Sequence, residues 1–261
     1  MIMNVKKQFD LTGKIAVVTG ATGHLGVSIT ESLIEAGATV FATGRNQEKL
    51  DELVTKFPDS LKIQTIDITS EESVRDCFKK IYDIVGRIDI LVNNASSLPV
   101  GNLRDISDDE WKLGMDSTIN GVFRCTKEVI PIMEENDQGS IINISSIYGE
   151  VSSDSRIYGD SGHNSPPQYG AGKAAINQFT RYCACHFAEK KIRVNTITPG
   201  PFPKKQISQN QEFMKKLEDK IPLGRVGNPS ELKGAIVFLA SEASSFVTGE
   251  NIHIDGGWSA W

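Results

Sequence analysis

The feature that most constrains this chain is a succession of short apolar runs spaced along its whole length. Ile15-Ala16-Val17-Val18 is one, and the run from Ile88 to Val92, apolar but for Asp89, is another. A strand with one wet face alternates apolar and polar residues. A strand buried on both faces does not, and a parallel sheet covered by helices buries both. Strands are expected at 14–19, 38–43, 61–66, 88–92, 139–145, 191–197 and 250–254. Helical patterns lie between them. Leu25, Ile29, Leu33 and Ala36 recur at helical spacing in 25–36, and Leu232, Ala235, Ile236 and Leu239 do so in 229–240, after a Pro229-Ser230-Glu231 start. Strand–helix alternation with right-handed crossovers gives an α/β, doubly wound parallel sheet of about seven strands with helices on both faces. No linker, repeat or low-complexity stretch divides 1–261, so a single domain is expected.

Composition narrows the function classes. The net charge is −5 and no basic stripe stands out, which argues against a nucleic-acid partner. No apolar stretch is long enough to span a membrane, and Met1 to Phe9 has no apolar run after its lysines, so a cytoplasmic protein is expected. Cys77, Cys125, Cys183 and Cys185 have neither zinc-ligand nor redox-pair spacing, and all four are expected to be small packing residues; no metal site is expected. Cys183 and Cys185 are two apart on an expected helix and so lie on nearly opposite sides of it.

The first strand runs into Thr19-Gly20-Ala21-Thr22-Gly23-His24-Leu25-Gly26, where the first helix begins. Glycines there let the backbone turn tightly and approach a pyrophosphate, and a helix N-terminus offers it free N–H groups. The bland alternative is a plain strand-to-helix turn, and another open sheet, such as a flavodoxin-like one, fits the alternation alone. The segment resembles the Thr-Gly-x-x-x-Gly-x-Gly turn of the short-chain dehydrogenase/reductase family, whose fold is Rossmann-type. His24 stands where the family's middle glycine usually is. The resemblance extends over nearly the whole chain: Asp67-Ile68 after the third strand, Asn93-Asn94-Ala95 after the fourth with Ser96 in place of a glycine, Asn195 to Gly200, and Asp255-Gly256-Gly257. It implies a dinucleotide site that includes Gly20, Thr22, His24, Leu25, Arg45, Asp67, Ile68, Asn94, Ala95, Pro199, Gly200 and Phe202. The asparagines have a structural reading as well, as ties between neighbouring strands.

Tyr169 and Lys173 are four apart on an expected helix and so share a face. A free tyrosine titrates at about 10, and a nearby ammonium favours its phenolate. Such a tyrosine takes a proton from an alcohol as hydride leaves, or returns it in reduction. The resemblance assigns Lys173 to the cofactor ribose as well, and Ser146, at the end of Asn143-Ile144-Ser145-Ser146, to holding the reacting oxygen. Ser146 and Tyr169 are 23 residues apart, more than is usual in the family. Tyr158 is a rival only 12 residues on, but glycine, not lysine, follows it at position 162, and Gly159, Pro166 and Pro167 disfavour a helix there. A loop insertion within 149–166, with Tyr169 as acid/base, accounts for the spacing. Thr118 stands where the resemblance places a fourth catalytic residue, an asparagine that holds a water, and Asn120 lies nearly opposite on the helix.

The insertion carries Ser152, Ser153, Asp154, Ser155, Arg156, Asp160, His163 and Asn164. A hydroxyl-rich or charged substrate is one reading of it, and a solvated loop the other. Pro201-Phe202-Pro203 onward to Leu223 resembles the family's substrate lid, with Lys204 and Lys205 on it. The narrower likeness is to enzymes of bacterial sugar pathways, including nonulosonic-acid and flagellin-glycan clusters, and to gluconate-type polyol dehydrogenases. The expected activity is hydride transfer between NAD(P) and an alcohol or carbonyl carbon of a sugar, polyol or hydroxy or keto acid. The alternative is a nucleotide-binding regulatory or scaffold protein, motivated by His24, Ser96 and Thr118. The second strand ends Ala42-Thr43-Gly44-Arg45-Asn46, with Gly44 where an NAD enzyme commonly has an acid. NADP(H) is therefore expected to be preferred, with NAD(H) possible. The family also implies a homotetramer or homodimer, formed by the long helices near 107–135 and 167–189 and by the last helix and strand.

Overall fold

The computed structural model describes residues 4–97, 101–159 and 165–261. Seven strands form one sheet: β1 Ile15–Thr19, β2 Thr39–Gly44, β3 Leu61–Thr65, β4 Ile90–Asn93, β5 Gly139–Ile144, β6 Ile192–Pro199 and β7 Asn251–Ile254. Their order is β3-β2-β1-β4-β5-β6-β7 and every pairing is parallel. Each expected strand is present, with bounds within two residues of those read from the sequence. The chain winds outward from β1 to β3, then returns to lay β4 against the other side of β1. Beyond the carboxyl ends of β1 and β4 the connections diverge to opposite faces, which opens a crevice there.

Ten α-helices cover the sheet among the described residues: α1 Val5–Gln8, α2 Gly26–Glu35, α3 Gln47–Val54, α4 Glu71–Val85, α5 Asp108–Met115, α6 Gly121–Glu135, α7 Ser155–Tyr158, α8 Pro167–His186, α9 Gln211–Glu218 and α10 Lys233–Ala240. Strand periodicity sorts the core into two layers. Ala16, Val18, Val40, Ala42, Val92 and Ile142 face Ile29 and Leu33 of α2, Leu50 of α3 and Ile236 and Leu239 of α10. Their neighbours Val17, Phe41, Leu91, Ile141 and Val194 face Phe78 of α4, Val129 and Met133 of α6 and Cys183 of α8. Ile236, Leu239 and Ala240 are thus spent inside this chain's own core.

Three local expectations are refined. The helix near 107–135 is interrupted by a π-helical turn over Asp116–Asn120, between α5 and α6. The insertion is not wholly loop: Asp154 caps the one-turn α7, which stops at Gly159, where φ is +43°. Asp160, His163 and Asn164 lie outside the described residues. Cys77, Cys125 and Cys183 are buried packing residues, but Cys185 is exposed, because a two-residue step along α8 carries it to the opposite side from Cys183.

One buried polar chain crosses the second core. Asn93 of β4 donates to Asn143 of β5 at 2.8 Å, Asn143 donates to Thr180 of α8 at 2.8 Å, and Thr180 meets Thr196 of β6 at 2.8 Å. Asn143 is fully buried, so removing its amide strands partners on both sides. Asn143→Ala is expected to lower unfolding free energy by about 2–4 kcal/mol. Urea denaturation checks this, and a loss under about 0.5 kcal/mol, the size of a surface change, would show the chain to be dispensable.

Candidate active site

The crevice is a cleft of about 690 Å³. Its walls bring together Gly20, Thr22, His24, Leu25, Arg45, Asp67, Ile68, Asn94, Ala95, Ser146, Tyr169, Lys173, Pro199, Gly200 and Phe202. Residues from seven separate stretches of sequence therefore meet at the carboxyl edge of the sheet. Thr118 is not in that wall. Its hydroxyl donates to the Gly114 carbonyl, and Gly172 packs on it so closely that a Cβ there would fall 2.6 Å from the threonine oxygen. Ser117, its neighbour on the π turn, lines the cleft instead. Asn120 points away and donates to Asp116.

The glycine-rich turn is shaped for a flat anionic group. Gly20 has φ +64°, and a Cβ on it would fall 2.8 Å from Ala95 Cα. A Cβ on Gly26 would fall 2.1 Å from the Gly20 carbonyl oxygen. Helix α2 begins at Gly26, and Leu25 before it, which lines the cleft, gives no side-chain cap. Asn94 closes the turn from behind: its amide donates to the Thr19 and Gly20 carbonyls, each at 3.0 Å. Asn93 ties β4 to β5, and Asn94 ties β4 to β1, so both asparagines have the structural part foreseen for them. His24 fits beside this turn against the loop after β6. Burial lowers its pKa, the Lys204 charge lowers it further, and a hydrogen bond to the Phe202 backbone opposes both.

At the outer end of the cleft stand Gly44, Arg45, Asn46 and Lys49. Asn46 caps α3, and its oxygen accepts from the Lys49 amide. No sequence motif marks Lys49, which lies on the first turn of α3, four residues beyond Arg45. Neither Arg45 nor Lys49 has an ion-pair partner among the described residues. Asp67 faces the same end of the cleft. Partial burial works against its charge, but hydrogen bonds from the Thr69 amide and hydroxyl, helped by Arg45 and Arg124, hold its pKa below the usual carboxylate range.

At the inner end Ser146, Tyr169 and Lys173 converge. The serine turn, residues 145–149, lies directly on α8. Ser145 donates to the Lys173 carbonyl at 3.1 Å. A Cβ on Gly149 would fall 2.8 Å from the Lys173 carbonyl carbon, and one on Gly170 would fall 2.8 Å from the Tyr148 carbonyl oxygen. Glycine at both places lets backbone meet backbone. The Lys173 ammonium donates to the Ile144 carbonyl at 2.7 Å and sits 5.6 Å from the centre of the Tyr169 ring. Burial pushes Lys173 down to about 8. Burial also pushes Tyr169 up, while a hydrogen bond with the Ser146 hydroxyl pulls it back. Tyr158, the rival, does not line the cleft; its phenol bonds to the Tyr148 phenol at 2.7 Å.

The segment from Pro201 to Leu223, expected to serve as a lid, and the insertion both contribute to a third apolar cluster. Ile147, Ile157, Phe213, Leu217, Ile221 and Trp258 are buried together. Asp154 pairs with Lys220 at 2.7 Å and with Arg156, which fastens α7 to the end of α9. Among the described polar residues of the insertion, Asp154 is therefore spent on this segment. Lys204 lines the cleft, and Lys205 does not. Among the described residues no group of metal-ligating side chains and no helix long and apolar enough to cross a membrane is present.

Residues 20–259 match the family described as enoyl-(acyl carrier protein) reductase. The chain is 35% identical over 254 residues to a 3-oxoacyl-(acyl-carrier-protein) reductase of Thermotoga maritima, an alignment covering 95% of this chain and 98% of that one. It is 33% identical over 257 residues to a 2-dehydro-3-deoxy-D-gluconate 5-dehydrogenase of Formosa agariphila, covering 95% and 94%. Among solved structures it resembles a gluconate 5-dehydrogenase from Burkholderia cenocepacia in complex with NADP and tartrate, with a TM-score of 0.90 and 31% identity over 99% of this chain and 100% of that one.

The packing of the serine turn on α8 has a measurable signature. Gly149→Ala is expected to cost about 1–3 kcal/mol, since the intruded neighbours are backbone atoms. Gly234→Ala, on the open face of α10 with nothing within 4 Å, should instead stabilise by up to about 1 kcal/mol. Thermal melts of the two variants side by side check this; equal effects would mean that the serine turn has room to shift.

Proposed function

Because the chain belongs to the short-chain dehydrogenase/reductase family, we propose that its cleft holds NADP(H) and that Tyr169 exchanges the proton accompanying hydride transfer at an alcohol or carbonyl carbon. The observation that carries the reading is the meeting of Ser146, Tyr169 and Lys173 at one end of a cleft whose other end bears Arg45 and Lys49. The two ends suit the two halves of a phosphorylated dinucleotide. When bound, NADP(H) supplies or accepts the hydride.

The chain's own residues divide the remaining work. Arg45 and Lys49 meet the 2′-phosphate, with Thr22 and Asn46 beside them; no carboxylate stands at the end of β2 to repel it. Asp67 and Ile68 hold the adenine, with Ala95 beside them. Gly20, His24 and Leu25 border the pyrophosphate. Pro199, Gly200 and Phe202 border the nicotinamide, and Asn94 keeps the floor in place. Lys173 holds the ribose and presents a positive charge to Tyr169, which favours the phenolate that burial alone disfavours. Ser146 donates to the reacting oxygen as charge develops on it. Thr118 acts by packing, since its hydroxyl is committed to the Gly114 carbonyl. The assembled triad favours an enzyme over a regulatory or scaffold protein.

The substrate is proposed to be a small polar molecule, a sugar, polyol or hydroxy or keto acid, in keeping with the gluconate-type relatives. A homotetramer or homodimer is proposed from exposed aromatic residues on the long helices: Trp111 on α5, Phe123 on α6 and Tyr182 on α8.

Two experiments test this reading. Purified protein with NADPH is offered 5-keto-D-gluconate, other keto acids and a 3-oxoacyl thioester, and absorbance at about 340 nm is followed. Tyr169→Phe should bind NADPH as before and lose about a thousandfold in turnover; undiminished turnover rejects Tyr169 as the acid/base. For the cofactor, Arg45→Ala and Lys49→Ala should each weaken NADPH by about tenfold and leave NADH nearly unchanged. A Cβ on Gly44 meets only Thr22 Oγ1, at 3.8 Å, so Gly44→Asp fits sterically and should shift preference toward NADH. Tighter wild-type binding of NADH than of NADPH in parallel titrations would reverse the cofactor assignment.

A further inference from the structure

We propose that Tyr158, brought in by the insertion, is a positioning residue: acting through Tyr148, it holds Ser146 as a hydrogen-bond donor to Tyr169. The inference rests on the reading of Tyr169 as the acid/base. A serine hydroxyl has one proton and two lone pairs. The Tyr148 amide donates into Ser146 Oγ at 3.2 Å, which occupies one lone pair and leaves the proton for the Tyr169 phenol. The aim of that proton therefore depends on where the Tyr148 backbone is fixed.

Two contacts fix it. On one side the Tyr148 carbonyl lies against Gly170 of α8, too close for any larger residue. On the other the Tyr148 phenol is held at 2.7 Å by the Tyr158 phenol. Tyr158 is itself anchored. Its ring lies 5.9 Å from Phe213 of α9, its oxygen accepts from the Ser165 hydroxyl, and Ile157 beside it is buried in the lid cluster. Asp154 caps α7 and pairs with Lys220, so the helix that carries Tyr158 is fastened to the lid at both ends. Burial pushes the Tyr148 and Tyr158 phenols up, so both stay neutral and serve as hydrogen-bonding groups rather than bases.

The groups that face Tyr169 are Lys173 on its own helix, Ser146 and Tyr148 from the serine turn, and Tyr158 from the insertion; Asp154 acts on Tyr148. A donor to the phenolate lowers the pKa of Tyr169, so a wandering Ser146 raises it.

The test is a titration of the NADP⁺ complex labelled with carbon-13 at Cζ of its five tyrosines. The Tyr169 resonance is assigned by its loss in Tyr169→Phe. In Tyr158→Phe and in Tyr148→Phe the Tyr169 transition should move up by about half to one pH unit, a threefold to tenfold change in acid dissociation. The Tyr148→Phe/Tyr158→Phe double variant should show no further shift, because the two phenols form one bond. NADP⁺ affinity should be unchanged in all three. A Tyr169 transition that stays put or moves down in either single variant, or shifts that add in the double, overturns the proposal. Either single variant suffices should the other fail to fold. Full turnover by Tyr169→Phe would instead overturn the acid/base reading and leave the serine-turn geometry untouched.

Discussion

The buried hydrogen-bond chain from Asn93 through Asn143 and Thr180 to Thr196 is the constraint on which the rest of the site depends. It crosses from β4 to β5, through α8, and on to β6. Parallel strands alone set their neighbours' spacing along the sheet, but they do not fix a covering helix against it. Side-chain amides and hydroxyls buried away from water do, because any slip leaves a polar atom without a partner. Tyr169 and Lys173 lie on the same helix as Thr180, and Ser146 follows the strand that carries Asn143. A network with no proposed chemistry of its own thus holds Ser146, Tyr169 and Lys173 in register.

Much of this was legible in the sequence, and for identifiable reasons. The strands announced themselves because burial on both faces removes alternation. The glycine turn, the Tyr169–Lys173 pair and Ser146 were legible because local spacing carries their geometry: four residues along a helix is one face, and a strand end is one edge. The choice of Tyr169 over Tyr158 also turned on local chemistry, since Gly159 ends α7 before a second helical turn can form. What stayed hidden depended on tertiary contact. Nothing near Thr118 in sequence says that a π turn will direct its hydroxyl to Gly114 and put Ser117 in the cleft instead. Nothing near Tyr148 says that Tyr158 will meet it. Lys49 is the intermediate case: it lies on the first turn of α3, close in sequence to Arg45, which itself precedes the helix.

The insertion and the lid illustrate how a polar segment can misdirect such a reading. Asp154, Ser155 and Arg156 look like a surface that awaits a ligand. In the fold Asp154 is consumed by capping α7 and by pairing with Lys220 and Arg156, and Ile157 slots beneath α9. Hydrophilic sequence here builds an internal brace. The lid consequently rests on the insertion, and any movement of α9 carries α7 with it or breaks an ion pair and an apolar contact together.

The π turn over Asp116–Asn120 has a consequence for how this segment tolerates change. A π turn holds one residue more than an α turn, so it acts as a phase slip of about 100° between the helices it joins. Here that slip lets α5 lie against α8, with Gly114 pressed on Gln168, while α6 lies against α4 and the sheet. Each half therefore keeps its own inward-facing stripe. Converting the turn to α geometry with all of its residues kept would rotate α6 by about 100° relative to α5 and carry one stripe out of contact, although every side chain in α5 and α6 would be unchanged. In this stretch the number of residues and the backbone geometry of the turn are locked together.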